Sequence, residues 1–464
     1  MELDIWLGDQ LVARTRERDR GRKVSIVYEE SVVATMGDEI PLLSCSLPTP
    51  GPSEPAKARS FLEGLLPEGR ALETMAARLR GVRLEAGAPA APADAVSLLA
   101  EYGRECAGAV AIVPSGGSDR PDEGSYRPLD QADLAAILHD LPTHPLGADP
   151  DREVRMSLAG AQPKFLLARF DGKWFEPLDG AASTHILKPT ARWPHSAENE
   201  SLIMHLARSV GLTDWSTWVE DIDGTSVLVV ERYDRRADGK RVVRHHQEDL
   251  CQALGIRPVD KYQIGRPSER MARLLRRSAD SPSEAIRELF RQVAFRTVVG
   301  DEDGHGKNYS LLLDRGSVRL SPIYDSLCTL VYPELSGRMA GPIGPQSTLA
   351  KVDRKALLVE GVAMGLLHAD AEVALQGLAA DLKIAIENLD ATLTSRWPSG
   401  PVIETVLGRV NRLESGQPMG GSASRSPRHT PQQAADMTTQ TTLSTGRVAL
   451  TGQTPPSRLE RRSS

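Results

Sequence analysis

Asp301-Glu302-Asp303-Gly304-His305-Gly306-Lys307-Asn308, running on through Tyr309 to Leu313, Asp314-Arg315-Gly316, Ser317 to Ile323 and Tyr324-Asp325, is the stretch on which the fold turns. Its first eight residues hold three carboxylates, an imidazole, an ammonium and an amide, a mixture that a solvated turn does not need. Tyr309 to Leu313 reads as a strand, Asp314-Arg315-Gly316 as a turn and Ser317 to Ile323 as the returning strand. Such a hairpin returns Asp325 towards Asn308, although seventeen positions separate them. An amide and a carboxylate facing one spot suit Mg²⁺, which keeps several waters and takes one or two protein ligands plus substrate phosphates. Asp303, five before Asn308, is placed to orient or deprotonate a hydroxyl nucleophile. The order D-x-x-x-x-N, hairpin, D is that of a protein-kinase catalytic loop and its metal aspartate. The competing reading is a polar loop that merely caps a helix.

The preceding segment supports a core helix. Ser281-Pro282-Ser283-Glu284 has an N-cap serine, proline at the first helical position and glutamate three after the cap. Ile286, Leu289, Phe290, Val293, Ala294 and Val298 keep helical spacing, and Gly300 ends the run. Gly300 to Lys307 resembles a phosphate-binding P-loop only superficially, because the gap is wrong and Asn308 follows the lysine where Ser or Thr is required.

Further upstream the chain offers a nucleotide pocket in kinase order. Thr184-His185-Ile186-Leu187-Lys188 reads as a buried strand ending in a lysine suited to nucleotide phosphates, or as a strand end whose lysine reaches solvent. The helix predicted from Glu198 to Val210 supplies Glu198 and Glu200 as ion-pair partners for Lys188, and Glu200 is the choice. Ser226 to Val230 is a short buried strand that runs into Glu231-Arg232-Tyr233-Asp234, either an adenine edge or an unliganded β-edge. No G-x-G-x-x-G occurs. In its place stands Ser157-Leu158-Ala159-Gly160-Ala161-Gln162-Pro163-Lys164, where small residues let backbone N–H groups approach phosphate, or simply make a turn.

The whole chain has 464 residues, enough for two or three domains. A net charge of −6 excludes a chain-wide basic excess for nucleic-acid binding, so any DNA contact needs a patch or a partner. Cys45, Cys106, Cys251 and Cys328 are isolated, with no disulfide framework or zinc spacing. The N-terminus lacks the pattern of a signal peptide, and the longest apolar stretch, about Cys106 to Val113, is too short to cross a membrane. A reducing cytoplasm is the expected setting. Strand-like runs at Leu3 to Leu7 and Lys23 to Tyr28 and a helical stretch from Ala56 to Gly81 make residues 1–113 a small α/β unit. Residues 114–151 read as a linker with one helix, 152–235 as a kinase N-lobe, and 236–413 as a helical C-lobe. Residues 414–464, rich in Ser, Thr, Gln, Pro and Gly, read as a weakly basic disordered tail. The fold class expected is mixed α+β, a bilobal protein-kinase-like fold with an added N-terminal domain.

Taken in order, these motifs resemble the HipA-like serine/threonine kinases, the toxins of bacterial toxin–antitoxin pairs. The matching pieces are S-L-A-G-A-Q-P-K (157–164), T-H-I-L-K (184–188), E-N-E (198–200), V-E-R-Y-D-R (230–235), H-Q-E-D-L-C-Q-A-L-G (246–255), D-G-H-G-K-N-Y-S-L-L (303–312) and P-I-Y-D (322–325). F-L-E-G-L-L-P-E-G (61–69) and C-A-G-A-V (106–110) extend the likeness into the first domain. The resemblance implies ATP and Mg²⁺ as cofactors, Asp303 as catalytic base, and Asn308 and Asp325 as metal ligands. It implies Lys188 on the phosphates, Glu231 and Tyr233 at the adenine end, and Ala159, Gly160, Ala161 and Gln162 in the phosphate-contacting loop. Ser157 would be the inhibitory autophosphorylation serine. His305 stands two after Asp303, where eukaryotic-type kinases often keep a lysine, and Lys307 is the alternative for reaching the transferred phosphate. His246, Gln247 and Asp249 would brace the catalytic loop. The implied partners are a protein substrate and a small helix-turn-helix antitoxin that tethers the chain to operator DNA. Two other classes stand beside this one: a catalytically weak module that co-represses with its antitoxin, and a metal-dependent phosphohydrolase using Asp301, Asp303 and Asp325.

Overall fold

The computed structural model describes residues 1–18, 23–82, 94–116, 124–190, 193–395 and 397–420. In the first domain, β1 (Leu3–Leu7), β2 (Gln10–Arg18), β3 (Lys23–Tyr28) and β4 (Val110–Pro114) form an antiparallel sheet in the order β3-β2-β1-β4. Its core-facing side chains, among them Leu3, Ile5, Val12 and Ile26, pack against the helices α1 (Glu30–Met36), α2 (Pro55–Gly64), α3 (Gly69–Leu79) and α4 (Ala95–Tyr102). The helical stretch expected from Ala56 to Gly81 is two helices. Leu65 to Glu68 separates them, because Pro67 cannot donate to a continuing helix.

The connector to the second domain is more than a linker. Its strand β5 (Ser125–Pro128) pairs with the body, and α5 (Gln131–Asp140), capped by Asp130, packs Leu134, Ile137 and Leu138 on the same sheet. That sheet adds β6 (Phe165–Phe170), β7 (Lys173–Leu178), β8 (His185–Pro189), β9 (Thr217–Ile222) and β10 (Thr225–Glu231), in the order β5-β7-β6-β8-β10-β9. The helix α6 (Ser196–Ser209) lies against β9 and β10.

A small ribbon, β11 (Arg235–Asp238) with β12 (Arg241–Arg244), leads to β13 (His246–Asp249) and α7 (Leu250–Ala253). The helical lobe follows: α8 (Pro267–Ser278), α9 (Pro282–Val299), α10 (Arg354–Met364), α11 (His368–Glu387), α12 (Ala391–Thr394) and α13 (Gly400–Glu414). The helix α9 starts at Pro282 as predicted, but Ser281 does not cap it with its side chain. The serine sits at φ −127° and ψ 78°, and its carbonyl serves the helix, accepting from the Ala285 N–H. Gly300 closes α9 at φ 83°, and a Cβ there would stand 2.9 Å from Leu330 Cδ1. The hairpin is present as β14 (Ser310–Asp314) and β15 (Ser317–Leu320), joined at Arg315-Gly316, both at positive φ. The second strand ends at Leu320, before Pro322. The packed chain continues past the expected end of the lobe to Gly420, with Met419 fully buried and its N–H on the Val352 carbonyl. The rest of the expected tail, 421–464, lies outside the described residues. No described helix is long and apolar enough to cross a membrane.

Candidate active site

One guanidinium assembles the stretch from Asp301 to Asp325. Arg296, on the buried face of α9, pairs with Asp301 at 2.5 Å and donates to the backbone carbonyls of Asn308 (3.3 Å), Tyr324 (2.5 Å) and Asp325 (3.1 Å). Asp301 in turn accepts from the Asp303 N–H (2.9 Å) and the Ser326 hydroxyl (2.8 Å). The loop after α9 and the residues after the hairpin are thus fixed to one side chain, and Asp303, Asn308 and Asp325 line one cavity of about 380 Å³. Asp301 does not line it, which removes the three-carboxylate arrangement the phosphohydrolase reading requires. Among the described residues no three His, Cys, Asp or Glu side chains form a metal-binding group.

Asp303 accepts a hydrogen bond from Tyr262 at 2.8 Å, and its side chain keeps 43% of its surface open to the cavity. Its carboxyl is pushed up to about 7, chiefly by its depth in the cleft and then by the Asp301 carboxylate. The Asn308 amide nitrogen donates to the Asp303 carbonyl at 2.7 Å, which leaves the amide oxygen as the atom able to meet a cation. Asp325 sits at φ 55° and bonds Lys188 at 2.5 Å. Burial opposes its charge, but the Lys188 ammonium holds the carboxyl well below the usual range. An amide oxygen and one ionised carboxylate on one cavity wall fit the modest protein contribution that Mg²⁺ takes.

Lys188, near the end of β8, is shared between Asp325 and Glu200 of α6, the latter at 2.8 Å. Burial alone would lower the ammonium, yet the two carboxylates hold it above its ordinary range, while burial pushes Glu200 up. Ala159, Gly160, Ala161 and Gln162 line the same cavity, and Lys164 folds back to the Ala159 carbonyl at 2.7 Å. Burial and the neighbouring Lys188 bring the Lys164 ammonium down to about 8. Glu231 and Tyr233 line the cavity at the exit of β10; Glu231 accepts from the Ser216 N–H, and Tyr233 bonds Gln247.

Other expected residues are engaged differently. Lys307 is buried and turned to Asp249 at 2.5 Å, with Gly64 O at 3.5 Å, so an ion pair already holds the ammonium expected at the transferred phosphate. His305 stays in the cavity, neutral, because burial and then the Lys261 ammonium lower its pKa well below the usual value. Asp249 braces the catalytic loop through Lys307 and caps α7. His246 does not brace that loop: it bonds the Leu43 carbonyl of the first domain at 2.9 Å and packs on Gly108. Ser157 is fully buried and outside the cavity wall, its hydroxyl donating to the Leu65 carbonyl at 2.8 Å.

Sequence reasoning missed Arg296, Tyr262, Lys261 and the first domain's Gly64 and Glu68, all of which hold or line the site. It also missed a buried ion cluster behind β10, where Glu105 meets Arg232 (3.0 Å), Arg235 (3.1 Å) and Arg244 (2.9 Å), and Asp234 meets Arg232 (2.7 Å). An arginine amid the apolar positions of a core helix, as at 296, was the one signal available.

Comparison with known proteins identifies the family. Residues 156–394 match the model of the HipA-like C-terminal domain, and residues 3–113 that of the HipA N-terminal domain. The chain is 39% identical over 362 residues to a putative kinase, Y4mE, of Sinorhizobium fredii, covering 76% of this chain and 83% of that one. It is 29% identical over 313 residues to the serine/threonine-protein kinase toxin HipA of Shewanella oneidensis, covering 64% and 69%. The structure of a HipA from that organism, solved with HipB and operator DNA, superposes with a TM-score of 0.74 at 24% identity, covering 89% of this chain and 97% of that one. The cleft, its lysine-bridged carboxylates and the two family domains lead to one assignment: the chain belongs to the HipA-like serine/threonine-protein kinases.

Proposed function

We propose that this kinase moves the γ-phosphoryl group of ATP to a serine or threonine of a host protein in the cytoplasm. On this reading it is the toxin of a two-component pair, restrained by a small helix-turn-helix antitoxin. The observation that supports it most is the linkage of Asp303, Asn308 and Asp325 to Arg296, which gives a base and a metal-binding pair on one cavity wall beside Lys188.

Asp303, oriented by Tyr262, takes the proton of the acceptor hydroxyl. The new O–P bond forms as the bond between the γ-phosphorus and its bridging oxygen breaks, and ADP departs. Lys188 neutralises phosphate charge, the 159–162 backbone faces the phosphates, and Glu231 and Tyr233 border the adenine. Asn308 and Asp325 are the residues that would hold Mg²⁺, which when bound would add charge neutralisation on the phosphates.

The relative of matching fold was solved with HipB and operator DNA, and the same kind of partner is proposed here. DNA contact then passes through the antitoxin, in keeping with the net charge of −6. Ser157 is the proposed autophosphorylation site. Because it is buried against Leu65, its modification requires the 157–164 segment to leave its seat, and the added charge would oppose its return. Incubation with γ-labelled ATP and Mg²⁺ tests the reading. Label should appear on the wild-type chain and be lost in Asp303→Ala and Asp325→Ala; equal labelling of all three, or none, defeats it. Phosphopeptide mapping should find the label on Ser157.

A further inference from the structure

The turn from α2 into α3 reaches out of the first domain and touches three pieces of the cleft. Gly64 O faces Lys307 Nζ, Leu65 O accepts from Ser157, and the Glu68 N–H donates to Gly160 O at 3.1 Å. Glu68 stands at the N-cap of α3 with extended backbone and makes no capping bond there, so its carboxylate is free to reach out of its own helix. Its Oε2 instead meets Lys261 Nζ at 2.7 Å, across the domain boundary and inside the cavity.

Lys261 belongs to the loop that backs the catalytic residues. Its carbonyl accepts from the Gly306 N–H, and its neighbour Tyr262 donates to Asp303. Lys307 is turned to Asp249, Lys188 to Glu200 and Asp325, and Lys164 to the Ala159 carbonyl, whereas Lys261 lines the cavity with Asp303 and His305 and its loop bonds both Gly306 and Asp303. We propose that Lys261 supplies the ammonium beside the phosphoryl group in transit and that Glu68, from the N-terminal domain, is the positioning residue that holds it there. The inference rests on the kinase reading of this cleft and assigns a task in it to a domain outside the kinase lobes. Charge on the equatorial phosphoryl oxygens is what such an ammonium stabilises, and only if it is held in place before the reaction.

The test uses the full chain with γ-labelled ATP and Mg²⁺, reading the maximal rate of self-labelling and the half-saturating ATP concentration for wild type, Glu68→Gln, Lys261→Met and the double variant. Each single variant should lose about tenfold or more in rate with half-saturating ATP moved by less than about threefold. The double variant should be no slower than Lys261→Met, since Glu68 acts through Lys261. Lys261→Arg, which keeps the charge, should recover part of the rate. The proposal is overturned if Glu68→Gln keeps the wild-type rate, if the two losses multiply, or if the loss follows a lowered thermal midpoint and disappears on cooling. An inert wild type overturns the catalytic reading and this inference together, whereas an active wild type with an unchanged Glu68→Gln overturns the inference alone.

Discussion

Asn199 clasps the backbone of Cys328 in both directions: its amide nitrogen donates to Cys328 O at 3.0 Å, and its oxygen accepts from the Cys328 N–H at 2.9 Å. The same nitrogen reaches the Tyr332 hydroxyl at 3.0 Å. Asn199 is fully buried, next to Glu200 on α6, while Cys328 follows Asp325 by three residues. The clasp therefore keeps the two carboxylates that share Lys188 in register. Replacing Asn199 with Ala leaves a buried N–H and C=O unpaired, for an expected loss of about 2–4 kcal/mol in urea unfolding. Half-saturating ATP should rise in the same variant; an unchanged unfolding midpoint would dismiss the clasp.

Glu105 is a buried carboxylate facing three guanidiniums, with the Ser183 hydroxyl at 2.8 Å. Taking its charge away in Glu105→Gln strands those cations in the interior, and the expected cost is about 3–5 kcal/mol. Denaturant titration measures it. Because Arg232 and Asp234 of the cluster alternate with Glu231 and Tyr233 along one cavity-lining segment, nucleotide affinity should weaken as well.

Glu248 gives the junction of the domains a pH response. Its Oε1 accepts from the Cys45 N–H at 2.8 Å, and burial pushes its carboxyl up to about 7 from 4.5. The folded state thus binds a proton more tightly than the unfolded chain. The associated stability is complete below about pH 4.5 and fades as pH rises through about 7. Glu248→Gln should flatten that fall in thermal-midpoint scans between pH 5 and about 8; an unchanged slope would assign the response to another group.

Lys188→Met removes the cation shared by Glu200 and Asp325. Hydrogen bonds to charged groups are worth about 1.5–3 kcal/mol, so ATP affinity by calorimetry should fall roughly 10–100-fold. Affinity within a factor of about two of wild type would reject Lys188 as a phosphate ligand.

Much of the catalytic stretch was legible because its signals are local. The apolar period of α9, the positive-φ glycine at 300 and the Arg315-Gly316 turn each depend on neighbours a few positions away. What escaped depends on long-range pairing. Nothing in spacing joins Lys307 to Asp249, fifty-eight positions earlier, or Lys261 to Glu68 in another domain. The strand β2 was overlooked because Arg14, Arg16, Glu17 and Arg18 mask its alternation, although Val12, Ala13 and Thr15 are buried. The family domains and the mixed α+β kinase-like fold emerged from motif order, which survives where individual pairings are invisible.

The connecting segment sewn into the sheet at β5 carries a mechanical corollary. From Ser125 onward the segment is paired along Ser125 to Pro128 and anchored by Leu134, Ile137 and Leu138, so it belongs to the body it joins. The first domain instead meets the cleft through the turn at Gly64 to Glu68, whose backbone bonds Lys307, Ser157 and Gly160 directly, so the two halves of the chain share one wall.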